Sequence, residues 1–125
     1  MFECVVNVEL PIYPGEEREI TSYRIASYDF DPGFQVGEKV QVNDASFFRN
    51  KRNGKRVRSP QAERFSFQAI VKERTKIIEP DVQLDSGEVI DQLISLIVLE
   101  VADKEQLPEI SRIMREFEAS TQTER

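Results

Sequence analysis

Phe65, Phe67, Ala69 and Val71 occupy every second position of ERFSFQAIVKERTKII, and this two-residue period constrains the fold more than any other feature of the chain. Successive side chains of an extended strand point to opposite faces, so the spacing predicts one apolar and one polar face. FECVVNVEL repeats the pattern with Phe2, Cys4, Val6 and Val8. EITSYRIASYDF continues it from Ile20, with Thr21, Tyr23 and Ile25 alternating. Turn chemistry separates these runs at PIYPGEE, DPG (31–33), Gly37 and DSGE (85–88).

A helical period emerges once. Leu107, Ile110, Ile113, Met114 and Phe117 fall on one stripe, with Pro108 suited to a first turn. Asp103 and Gln106 have the spacing of a capping box for an earlier start. Segment 86–95 reads two ways. Either Ser86 caps a short helix through about Leu93, or the β-branched ISLIVLEVA extends upstream as strand. The reading taken is a short turn or helix leading into a strand.

The predicted elements are strands at about 2–10, 19–29, 38–42, 46–52, 55–59, 64–78 and 94–102, with Pro80 ending the sixth. A helix at about 104–119 and a frayed tail at 120–125 follow. The expected class is α+β, mainly β, in one domain over 1–125: an antiparallel curved sheet or small barrel, with a protruding basic β-hairpin and a C-terminal amphipathic helix.

Composition agrees with a packed domain, since 39% hydrophobic and 32% charged residues describe a globular chain. A single cysteine excludes an internal disulfide. Cys4 lies in an apolar run and reads as a small core hydrophobe, which fits a reducing cytoplasm. The N-terminus has no basic region followed by an apolar one, so no signal peptide is expected. VIDQLISLIVLEVA is broken by Asp91, Gln92, Ser95 and Glu100, so no membrane partner is expected either.

The charge is segregated. RNKRNGKRVR, residues 49–58, holds six cations and no acid, while the remainder carries 11 basic against 23 acidic side chains. Asn53-Gly54 is a strong hairpin signal, because a type I′ turn needs positive φ at both central residues. A two-residue turn there would pair Arg52 with Lys55, Lys51 with Arg56, Asn50 with Val57 and Arg49 with Arg58. Arg49, Lys51, Arg56 and Arg58 would then share one face, with Arg52 and Lys55 near the tip. Like charges placed opposite one another are destabilising, so an anion should neutralise them. The candidates are the chain's own surplus carboxylates, nucleic-acid phosphates, a phosphorylated ligand, or an acidic protein surface, including that of a second copy in a homo-oligomer. Phe47 and Phe48, at the base, have the chemistry either to stack on bases or to anchor the hairpin in the core.

Nothing nominates an enzyme. With no histidine and one cysteine, the usual general base and the thiolate zinc site are missing. No phosphate-cradling glycine motif occurs, so no cofactor is expected. EPD at 79–81 lacks the later partners of a carboxylate-metal nuclease, and Glu16, Glu17, Glu19, Asp29 and Asp31 form no calcium-loop pattern, so no metal is expected. Tyr13, Tyr23 and Tyr28 read as packing residues with wet hydroxyls.

Overall fold

The computed structural model describes residues 1–12, 15, 21–47, 49–50, 56–57 and 63–123, with 49–50, 56–57 and 119–123 described by backbone alone. Five strands form one sheet: β1 (Phe2–Glu9), β2 (Ser22–Tyr28), β3 (Lys39–Ala45), β6 (Phe65–Gln83) and β7 (Val89–Val101). Two-residue strands β4 (Arg49–Asn50) and β5 (Arg56–Val57) pair apart from it. A 3-10 turn, Lys104–Gln106, leads into helix α1 (Leu107–Thr123).

The main sheet runs β2-β1-β7-β6-β3. Neighbours are antiparallel except β1 and β7, which run parallel from Phe2 opposite Leu93 to Glu9 opposite Glu100. The sheet is therefore mixed, not antiparallel, and not a closed barrel: among the described residues no ladder joins β2 to β3. Burial explains why β1 and β7 occupy the centre. Val5 (7% exposed) and Val98 (4%) are covered on the face opposite Cys4, Val6, Ile97 and Leu99. Strands apolar on both faces belong between other strands, but their composition does not name the partner.

The expected core residues of β1, β6 and α1 pack together. Cys4, Val6, Val8 and Leu10 meet Phe65, Phe67, Ala69 and Val71, and Ile110, Ile113 and Met114 cover them from the helix. Leu107 and Phe117 pack at its margin. Burying each large side chain contributes about 1.5–3 kcal/mol. Burial pushes the Cys4 thiol pKa up, with Asp31 adding to the shift.

Several boundaries differ from the expected ones. β3 reaches Ala45 and bulges between Val42 and Ala45, where Asp44 takes φ +53°. Pro80 does not end β6. β3 pairs with β6 only as far as Ile70, so the distant half of β6 needs few donors on that edge. The ladder instead shifts between Glu79 and Val82, with Asp81 at φ +57°. An earlier shift between Val71 and Glu73 moves the core-facing series from odd to even positions, to Arg74, Lys76 and Ile78.

The short helix expected through Leu93 is absent. Ser86 accepts a hydrogen bond from Glu88 N–H within the turn, and Val89 already pairs with Gln83. Cross-strand pairing of Val89 and Ile90 outweighs the cap. The terminal helix extends further than expected, to Thr123. Asp103 caps the 3-10 turn by accepting from Glu105 N–H at 3.0 Å. Gln106 does not complete a capping box, since its buried Oε1 has no partner among the described residues.

Candidate functional site

The basic segment leaves the sheet where the core is most aromatic. Ala45, Ser46 and Phe47 are buried, and the Phe47 ring lies 5.7 Å from Tyr23, 5.0 Å from Phe65 and 6.0 Å from Phe117. Of its two readings Phe47 therefore takes the anchor, with 2% of its surface exposed. Phe48 lies outside the described residues. On the return side, Arg112 of α1 holds Glu63 at 2.8 Å and also binds Glu109 and Glu116. Those hydrogen bonds push the guanidinium pKa up, and hold the Glu63 and Glu109 carboxyls below their usual range.

β4 and β5 are antiparallel, with Arg49 opposite Val57 and Asn50 opposite Arg56. This corrects the expected register by one residue. Five residues, 51–55, separate Asn50 from Arg56, and a two-residue turn at Asn53-Gly54 requires an even number between paired positions. A one-residue slip exchanges the faces, so positions 49 and 56 alternate and do not share a side. The four-cation face does not follow from this ladder. Lys51, Arg52, Lys55 and Arg58 lie outside the described residues, so Arg49 and Arg56 are placed, by backbone, and the other four are not.

The opposite end of the sheet has a different chemistry. Six of the eight exposed large hydrophobics among the described residues lie toward that end, on both faces of the sheet: Met1, Tyr28, Phe30, Ile77, Ile78 and Val89. The pairings of Tyr28 with Cys4, Phe2 with Leu93, and Leu93 with Ile78 spread them over four neighbouring strands. The Met1 ammonium donates to Asp91 O at 2.9 Å, fixing the start of β1 there. Tyr28 and Phe30 lie with ring centroids 5.4 Å apart beside a shallow groove of about 500 Å³.

Carboxylates are dense in the same stretches. Residues 75–93 carry Glu79, Asp81, Asp85, Glu88 and Asp91 against Lys76 alone, and Asp29 and Asp31 flank Phe30. Asp31 is tied to Arg74 at 3.6 Å, while Arg74 donates to Phe34 O. Sequence reading missed this end, although two signals point to it. Adjacent Ile77 and Ile78 cannot both face one side of a strand, and YDFDPG interleaves aromatic rings with acids.

Among the described residues, no group of three or more side chains has the arrangement to hold a metal ion, and no helix is long and apolar enough to cross a membrane. Comparison with protein-family models, curated proteins and solved structures gives no match.

Proposed function

We propose that this chain is a non-enzymatic binding or assembly module whose basic segment, Arg49 to Arg58, contacts an anionic partner, with nucleic acid the leading class. The observation that carries the reading is charge segregation: six cations in ten residues, against a surplus of 12 acids elsewhere. Arginine presents a planar fork that meets phosphate oxygens in pairs, and Arg49, Arg52, Arg56 and Arg58 supply four such forks beside Lys51 and Lys55. The buried Phe47 and the pinned Glu63 support the segment from both sides. Its curvature, protrusion and cytoplasmic setting belong to this proposal.

The second reading is a structural or adaptor subunit whose basic segment grips an acidic protein surface. The acid-rich end of the sheet favours it, because this chain itself carries such a surface.

Sedimentation velocity at low and high salt, with and without a mixed-sequence oligonucleotide, separates the two. The first reading expects the protein to co-sediment with the oligonucleotide at low salt and to release it at high salt. An unchanged oligonucleotide boundary at low salt defeats it.

A further inference from the structure

We propose that the cleft between β2 and β3 binds a small organic ammonium ion with an apolar body. These are the two edge strands of the sheet. Among the described residues no ladder joins them, yet both line one cavity of about 260 Å³.

The lining sets what fits. Val6 and Leu99 reach it from the buried core, and Ile25, Val40 and Val42 pack against that core. An occupant resting on them must present apolar surface. Pockets for drug-sized ligands run to about 300–1,000 Å³, so this one takes a smaller molecule.

Charge sets the sign. Asp44 is the one charged residue in the lining, and its carboxylate makes no ion pair among the described residues. Arg74 reaches the adjoining loop at Phe34 O, but it is tied to Asp31. An anion in the cleft would meet Asp44 with no compensating cation, whereas an ammonium is matched. Tyr28 and Phe34 also line the cavity, and aromatic faces attract a cation within about 6 Å of the ring centre.

An independent observation points the same way. Ser46, which follows β3, lines the cavity at 2% exposure, and its hydroxyl has no hydrogen-bond partner among the described residues. Buried polar groups are nearly always paired, so an orphan beside a cavity marks a contact still to be made. An ammonium carries three donors and no acceptor. It can donate to the Ser46 oxygen and the Asp44 carboxylate together while its apolar body covers Val6 and Leu99.

Amide NMR of isotope-labelled protein, titrated with 2-phenylethylamine, 2-phenylethanol or phenylacetate, tests this. The amine should give saturable shifts centred on residues 25–28 and 40–46. The alcohol should bind about tenfold more weakly, because it lacks the charge-assisted hydrogen bonds, and phenylacetate should not bind. Asp44 has φ +53°, which asparagine tolerates as aspartate does, so D44N removes the charge and keeps the backbone. It should weaken the amine about tenfold while binding a mixed-sequence oligonucleotide as wild type does. A26L, which fills the cavity from β2, should abolish amine binding with a native circular dichroism spectrum retained. Four results overturn the proposal: no saturable shift with the amine, shifts centred on the acid-rich residues 79–91, alcohol or phenylacetate bound as tightly as the amine, or D44N binding the amine as wild type does. If A26L fails to fold, the three probes and D44N still decide.

Discussion

Replacing Phe47 with alanine should destabilise the protein by about 3–5 kcal/mol, the cost of emptying a large buried site in a packed core. Phe47 is 2% exposed and contacts rings from β2, β6 and α1, so its loss leaves a cavity where three elements meet. Native domains have a margin of only about 5–15 kcal/mol, so the variant should lose about a fifth or more of its stability. Urea unfolding of F47A and F47L measures this, with leucine retaining most of the stability. A ring engaged with bases instead would give the opposite result: F47A as stable as wild type but weaker in oligonucleotide binding.

The second large effect is functional. The R49S/K51S/R56S/R58S variant should lose measurable affinity for the anionic partner while unfolding at the wild-type midpoint. Arginine and lysine are rarely fully buried, and substitutions at exposed positions generally change stability by about 0.5 kcal/mol or less. Arg52 and Lys55 remain, too few to hold the phosphate contacts that six cations supply. Fluorescence anisotropy of a labelled oligonucleotide measures the loss, and undiminished binding would remove these four residues from the contact.

The sequence was most informative where one residue's neighbours determine its environment. Alternation at Phe65–Val71 and the stripe Ile110, Ile113, Met114 identified the core, because burial of one face is a local property of a strand or helix. Partner choice was not legible. The parallel pairing of β1 with β7 joins residues about 90 positions apart, and alternation within either strand says nothing of the other. Pro80 misled because its effect depends on whether the strand edge is occupied, and Ser86 because a turn and a helix cap use the same hydroxyl.

The basic segment was found from charge alone, but its register was not. Asn53-Gly54 favours a two-residue turn, yet the ladder at Arg49–Asn50 and Arg56–Val57 is set one residue away. The acidic end went unnoticed because its residues come from three separate stretches, brought together by the β1–β2, β1–β7 and β6–β7 ladders.

Affinity for a mixed-sequence oligonucleotide, followed by anisotropy across a salt series, tests the contact role of residues 49–58 most directly. Neutralising about four phosphates predicts a slope of log affinity against log salt of about −3 to −4, or roughly a 100-fold weakening between 50 and 200 mM. A slope near zero, or no binding by wild type at the lowest salt, would contradict it.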